Sequence, residues 1–314
     1  MDIFLQVVNL LGALGVFLFG MKIMSEGLQK VAGAKLQALI GKMTSSPIKG
    51  VFTGFLVTTV VQSSSATTVM LVGFVNAKLL SLRQAIGVIM GANIGTTVTG
   101  WLVALLGFKV KISAFALPAV GLGVIFTFLH GARRKQIGEA LIGFGLLFLG
   151  LSLMKDAVPG LDGESLAWVQ SLTSLGFLSV VIFVLIGAAL TVVLQSSSAT
   201  MTLTLALTAA GYIPYDFAAA MVLGENIGTT ASANIAAIGT SVIAKRAARA
   251  HLIFNVIGVV WALALFQWAL LPLVDAIVPG NPELSVLSSA GAVGVVTSHL
   301  AAFHTLFNIL NTSL

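Results

Sequence analysis

The sequence has 314 residues, of which 58% are hydrophobic and 8% are charged, with a formal charge of +6 at pH 7. Soluble domains carry about 25% charged residues, so this composition excludes a water-exposed globule. Near-uncharged runs of about 20 residues match the hydrocarbon thickness of a bilayer and predict an all-α polytopic membrane protein. The basic residues lie in short loops beside these runs, so membrane topology explains them and no nucleic-acid partner is predicted.

The predicted elements begin with an apolar helix over residues 3–24. Lysines are interleaved with apolar residues over 22–49, which is typical of an amphipathic helix at the membrane surface. Residues 50–78 form an apolar segment that polar residues interrupt near its middle. Two half-helices of about 12 residues would each rise about 18 Å, enough to reach the bilayer midplane and return, so a re-entrant hairpin is predicted. Spans follow over 85–107 and 112–130.

Two polar segments of the first half recur 133 positions later. Residues 62–68 match 195–201, and residues 91–97 match 224–230, each at six of seven positions. The 22 residues between the paired segments match at only two positions, so the apolar sequence has diverged while the polar segments have not. The sequence therefore predicts a tandem repeat with a site at the interface of its two halves.

The second half repeats the order of the predicted elements. We predict repeat 1 over 1–135 and repeat 2 over 136–314, with the second hairpin at about 173–212 and the C-terminal helices included in repeat 2. The remaining predicted elements are a span over 136–155, a loop over 156–170, and spans over 217–243, 250–273 and 285–310.

Charge distinguishes the two halves. The Lys-rich stretch 22–49 corresponds to a stretch that carries Lys155, Asp156, Asp162 and Glu164. Because basic loops are cytoplasmic, the two repeats are predicted to insert with opposite orientation, giving seven crossings and two hairpins. An inverted repeat with broken helices is typical of secondary transporters, whose substrate site lies near the midplane.

The repeated Gln-Ser-Ser-Ser clusters (residues 62–65 and 195–198) have the chemistry of an anion site. A half-helix that begins after each cluster offers free N–H groups and the positive end of its dipole, which suits an anion such as phosphate. Oxygen atoms of the opposing backbone and of Thr and Asn suit Na⁺. The residues predicted to bind phosphate are Gln62, Ser63, Ser64, Gln195, Ser196 and Ser197. Interhelical packing is the alternative for an isolated Ser cluster, and the matched recurrence argues against it.

Three further polar features are less specific. Glu225 is a carboxyl predicted at mid-membrane depth, where it could serve as a sodium ligand, a proton site or a partner of a buried donor. The alternative is a carboxyl near a cavity mouth. The pairs His251/Asn255 and His304/Asn308 share the pattern His-x-x-Phe-Asn, which favours hydrogen bonding across helices over ion or proton handling. The histidine spacing predicts no transition-metal site.

At these residues the sequence resembles the type II sodium/phosphate cotransporter family, in a bacterial form. Both Gln-Ser-Ser-Ser clusters, both Asn-Ile-Gly-Thr-Thr segments, Phe-Leu-Phe-Gly-Met at 17–21 and both His-x-x-Phe-Asn segments carry the resemblance. It implies sodium-driven phosphate transport in the bacterial inner membrane, with Na⁺ as the coupling ion and no other cofactor. With Glu225 added, the residues expected to bind sodium or to serve both ions are Ser65, Thr67, Asn93, Thr96, Thr97, Ser198, Thr200, Asn226, Thr229 and Thr230.

Other functions stay open at this point. The alternatives are a transporter of another oxyanion, a proton-coupled transporter using Glu225, and a passive anion channel. A serine hydrolase is not expected, because neither Ser cluster has a base nearby in sequence. A monomer would suffice for a complete site, and a dimer is compatible with it. Many bacterial members continue into a PhoU-like domain, whereas this sequence ends at Leu314, so it is either a short member or a truncated one. A PhoU-like protein is a candidate regulatory partner.

Overall fold

The computed structural model describes residues 3–42, 46–109, 113–157, 171–283 and 290–314. Within these ranges the regular elements are helical, as predicted. Most of the predicted loop 156–170 lies outside the described residues. The helices are α1 (Ile3–Lys42), α2 (Pro47–Val61), α3 (Ser64–Asn76), α4 (Leu82–Leu102), α5 (Ser113–Phe128), α6 (Ala132–Ala157), α7 (Phe177–Leu194), α8 (Ser197–Ala209), α9 (Tyr215–Ala236), α10 (Val242–Leu265), α11 (Leu271–Ile277) and α12 (Ala290–Ser313). π-Helical turns extend α4 over Val103–Lys109 and join α10 to α11 over Phe266–Leu270.

Helix length and composition make the chain a multi-pass membrane protein. In the described part of the chain, six segments are long and apolar enough to cross a bilayer: Val8–Ala32, Leu82–Gly107, Ala132–Ala157, Phe177–Leu194, Val242–Ile277 and Val293–Ser313. These six segments differ from the seven crossings predicted from the sequence. The predicted span 112–130 is a shorter helix of 16 residues, and α9 has a polar, largely buried sequence. Conversely, α7 has 18 residues and is long enough to cross a bilayer, where the sequence predicted the first half of a re-entrant hairpin over 173–212.

The first helix corrects one prediction. The structure has a single helix of 40 residues where the sequence predicted an apolar helix followed by a separate surface helix from residue 22. The reason is packing against α6: a Cβ added at Gly20 would meet the backbone of Leu147, and one at Gly27 would meet the backbone of Ala140. Because this glycine face is buried on α6, the helix continues past residue 22 and does not turn onto the surface.

Close glycine contacts recur at the spacing of 133 residues. A Cβ at Gly54 would meet the carbonyl of Val88, and a Cβ at Gly187 would meet the carbonyl of Met221. Likewise Gly91 lies against the carbonyl of Val51, and Gly224 lies against that of Val184. Contacts at the two ends of each pair fix the direction: Gly50 lies near Gly87 and Thr58 near Gly95, and Gly187 lies near Met221 and Thr191 near Gly228. Residue numbers rise together along both helices, so α2/α4 and α7/α9 pack in parallel, at matching positions of the two halves.

The helices α1 and α6 cross with reciprocal contacts. A Cβ at Gly20 would meet Leu147, and a Cβ at Gly150 would meet Phe17. Residue numbers rise along α1 as they fall along α6, so the two helices are antiparallel. The contacts are reciprocal, because a glycine of each helix packs against the backbone of the other helix three residues from that helix's own glycine.

Candidate functional site

The two Gln-Ser-Ser-Ser clusters break their helices in the same way. Gln62 ends α2 with φ 55° and ψ 27°, and Gln195 ends α7 with φ 52° and ψ 25°. This left-handed conformation costs a non-glycine residue about 1–2 kcal/mol, and such residues are found at functional sites. The next residue caps the following helix: Ser63 Oγ accepts from Ala66 N at 3.1 Å, and Ser196 Oγ accepts from Ala199 N at 3.2 Å.

A threonine pair holds each break. Thr58 donates to Thr67 at 3.2 Å between their hydroxyl oxygens, and Thr191 donates to Thr200 at 3.0 Å. All four threonines are at most 1% exposed. The chain is thus pinned on either side of each break, and the cap residues that follow are fixed in position.

Both clusters line one cavity of about 490 Å³. All eight cluster residues, 62–65 and 195–198, contribute to its wall, and α1 forms another part of it. Ser64 and Ser65 begin α3, and their N–H groups precede the first possible intrahelical acceptor. The same holds for Ser197 and Ser198 in α8. Two helix N-termini with hydroxyl donors therefore face one cavity, an arrangement that favours an anion.

The two glutamines differ in their surroundings. Gln62 is buried, its Oε1 accepts from Thr99 at 2.9 Å, and its Nε2 donates to the Thr59 carbonyl at 2.6 Å. One amide hydrogen of Gln62 is left to donate into the cavity. Gln195 is exposed. The first glutamine therefore secures its break, whereas the second presents its amide to the cavity.

A second, smaller cavity of about 10 Å³ lies beside the first. This volume holds about one water-sized sphere. Ser64 and Ser197 line both cavities, so the two are adjacent. The other lining residues of the small cavity are Asn93, Thr96, Glu225, Asn226, Thr229 and His304.

Three buried polar atoms at the small cavity have no hydrogen-bond partner: Glu225 Oε2, Thr229 Oγ1 and His304 Nδ1. Glu225 is 1% exposed, and its other oxygen accepts from Thr204 at 2.9 Å. Buried polar atoms are normally satisfied, so unpartnered oxygens around this small space mark a candidate site for an ion or a water molecule. Hydroxyl and carboxylate oxygens suit a hard cation.

Four of the predicted site residues line neither cavity. Their hydroxyl groups donate to carbonyls of their own helices, and all four are buried. These residues are Thr67, Thr97, Thr200 and Thr230.

The two His-x-x-Phe-Asn segments have different roles. Asn93 Nδ2 donates to Asn255 Oδ1 at 2.8 Å, and His251 Nε2 lies 3.2 Å from Asn93 Oδ1. The predicted hydrogen bonds across helices are confirmed for this pair. In the second segment His304 lines the small cavity, and Asn308 Nδ2 donates to the His304 carbonyl within α12. The structure thus adds His304 to the candidate site, although its sequence pattern favoured a structural role.

Sequence reasoning also missed the contribution of α1. Leu18, Met21, Lys22, Ser25, Glu26 and Gln29 line the large cavity. Their spacing of three and four residues places them on one helical face. Four polar residues at that spacing, next to an apolar helix, indicate a polar face that could line a cavity. This face was missed because the stretch was predicted to lie on the membrane surface.

Known proteins are similar over most of the chain. A model of the Na⁺/Pi-cotransporter family matches residues 16–156 and 165–274. YqeW, an uncharacterized protein of Bacillus subtilis, is 31% identical over 288 residues, which are 90% of each chain. YjbB of Escherichia coli K12, named as a candidate inorganic phosphate export protein, is 30% identical over 254 residues. That match covers 81% of this chain and 46% of YjbB, so the chain spans about half the length of that relative.

A vertebrate relative matches a shorter part. Human sodium-dependent phosphate transport protein 2B is 41% identical over 103 residues, which are 32% of this chain and 15% of that protein. No solved structure is significantly similar. The resemblance inferred from the repeated motifs is confirmed, because the family model matches most of the sequence: the chain belongs to the Na⁺/Pi-cotransporter family.

Proposed function

We propose that the chain transports inorganic phosphate by sodium-coupled symport with alternating access, and that phosphate binds in the large cavity between the two Gln-Ser-Ser-Ser clusters. The observation that carries this proposal is the convergence of both clusters on one cavity of about 490 Å³. Helix N-termini and neutral hydroxyl donors there suit a phosphate group that must be released again. Family membership supports phosphate as the substrate.

The small cavity is the proposed sodium site. Glu225, Thr229 and Asn226 supply oxygen atoms of the kind that hard cations bind, and Ser64 and Ser197 connect this cavity to the phosphate site. A cation at Glu225 would offset the carboxylate charge that otherwise opposes an approaching phosphate. Sodium binding would thereby favour phosphate binding, and this electrostatic dependence is the proposed origin of coupling. A proton on Glu225 would have the same effect, so proton coupling is the second candidate.

The proposed transport cycle needs the inverted repeat and the two hairpins that the sequence predicts. The antiparallel, reciprocal contact of α1 with α6 supports a two-fold relation between the halves. The parallel packing of α2 with α4 supports a hairpin, because α3 lies between them in the chain and must run back. Rearrangement of the two halves around the shared site would then expose it to either side.

The energy available is sufficient for uphill transport. A tenfold sodium gradient contributes about 1.4 kcal/mol per ion, and each net charge moved contributes about 2.3 kcal/mol per 100 mV. Two or three sodium ions could drive phosphate in either direction, depending on stoichiometry.

The test is uptake of radiolabelled phosphate into proteoliposomes with an inward sodium gradient, compared with an equal potassium gradient. The proposal predicts transient accumulation above equilibrium in sodium alone. Accumulation that does not depend on sodium and follows a pH gradient would show that protons are the coupling ion instead of sodium. Flux that never exceeds equilibrium in either gradient would indicate a passive channel, and no flux from folded protein would refute phosphate as the substrate.

A further inference from the structure

The cavity between the clusters contains one lysine and one carboxylate, both from α1. Lys22 and Glu26 are one helical turn apart and are the only charged residues among the described ones that line it. The two Gln-Ser-Ser-Ser clusters contribute neutral side chains. The charge that an anion meets on entering this cavity, apart from helix dipoles, is therefore set by Lys22 and Glu26.

Helix α1 is tied to the first cluster. Ser25 Oγ donates to the carbonyl of Val61 at 2.7 Å, immediately before Gln62, and Gln29 Nε2 donates to Ser25 Oγ at 3.1 Å. Ser25 lies between Lys22 and Glu26 on the same face. These bonds hold the charged face of α1 at a fixed position relative to the break that begins α3.

The ion pair itself is loose. Lys22 Nζ lies 4.0 Å from Glu26 Oε1, and the two side chains are 70% and 50% exposed. Hydrogen bonds between nitrogen and oxygen need about 2.7–3.2 Å, so this is a charge contact without a hydrogen bond. Lys30 and Glu139 offer a contrast, with 2.8 Å between Nζ and Oε2, and neither residue lines the large cavity. Lys22 is therefore free to turn toward another anion.

We propose that Lys22 is a phosphate-binding residue that exchanges Glu26 for phosphate when the substrate enters, and that Glu26 takes Lys22 back on release. The inference rests on the proposed function, since it assigns phosphate to this cavity. A lysine ammonium is a compact point charge on a flexible stem, well suited to such an exchange. Glu26 supplies a competing partner, so the lysine strengthens phosphate binding without holding the substrate permanently.

Binding of inorganic phosphate to the purified chain, measured by calorimetry in sodium, tests this directly. K22Q is expected to weaken phosphate binding at least tenfold, K22R to recover most of the loss, and E26Q to tighten binding severalfold. In the double variant K22Q/E26Q the tightening should disappear, because the lysine for which Glu26 competes is gone. The matched control K30Q should bind phosphate like the original protein.

The outcomes separate this inference from the function on which it rests. If the original protein binds phosphate and K22Q, with an unchanged unfolding temperature, binds it equally well, the role of Lys22 is refuted and the cavity assignment stands. If E26Q weakens binding as much as K22Q does, the exchange is refuted. If the original protein binds no phosphate, both the proposed function and this inference fail.

Discussion

Asn93 and Asn226 occupy the same position in the two repeated segments, but their side chains have different partners. Asn93 bonds to Asn255 and faces His251, which closes a hydrogen-bonded network between α4 and α10. Asn226 Nδ2 donates to the Val222 carbonyl of its own helix. The neighbouring Glu225 and Thr229 keep unpartnered oxygen atoms at the small cavity. At the residue scale, the proposed cation site is therefore formed mainly by the second copy of the repeat.

This asymmetry predicts the effect of E225Q. Glutamine keeps the size of the side chain and removes its negative charge, so the sodium concentration for half-maximal phosphate uptake should rise at least tenfold, about 1.4 kcal/mol. Glu139, which pairs with Lys30 away from both cavities, provides the control E139Q, which should behave like the original protein. Unchanged sodium dependence in a folded, active E225Q variant would remove Glu225 from the coupling mechanism.

At the scale of elements, glycines set how closely the broken helices approach their neighbours. Gly54 of α2 packs on α4, and Gly187 of α7 packs on α9, each against a backbone carbonyl that leaves no room for a Cβ. A backbone atom cannot rotate away as a side chain can. The position of each cluster therefore depends on a glycine contact seven or eight residues before the break.

The variants G54A and G187A should both lower the unfolding temperature, because inserting a methyl group into a tight contact costs about 1–3 kcal/mol. The control is G73A in α3, where an added Cβ would meet nothing within 4 Å. Alanine is the better helix former by up to about 1 kcal/mol, so G73A should leave stability unchanged or raise it. Equal effects at all three positions would contradict the packing account.

At the scale of the whole molecule, an inverted repeat predicts that equivalent positions lie on opposite sides of the membrane. Ala77 and Ala210 are 133 residues apart and end α3 and α8 in similar conformations, with φ of −77° and −86°. The sequence has no cysteine, so A77C and A210C each introduce a single thiol. A membrane-impermeant maleimide should label A77C from the cytoplasmic side and A210C from the opposite side of oriented vesicles. Labelling of both from one side would contradict the inverted repeat.

The sequence revealed much of the site because its polar segments recur where the apolar sequence does not. Recurrence predicted both helix breaks and the convergence of residues 62–65 with 195–198. It could not predict the difference between Asn93 and Asn226, because their segments are nearly identical and the difference arises from Asn255 and His251 on a distant helix, which contact Asn93. Lys22 and Glu26 were missed because local charge pattern does not show that α1 continues against α6.

In the proposed mechanism the two halves of the molecule build one phosphate site. Calorimetric titration of phosphate into the purified chain in sodium, with S64A and S197A compared, tests it most directly. Each serine lies at a helix N-terminus in the shared cavity, and loss of a hydrogen bond to a charged ligand costs about 1.5–3 kcal/mol. A shared site should bind one phosphate per chain, with roughly tenfold to hundredfold weaker binding in either variant. Two phosphates per chain, with each variant removing one and leaving the other unchanged, would contradict it.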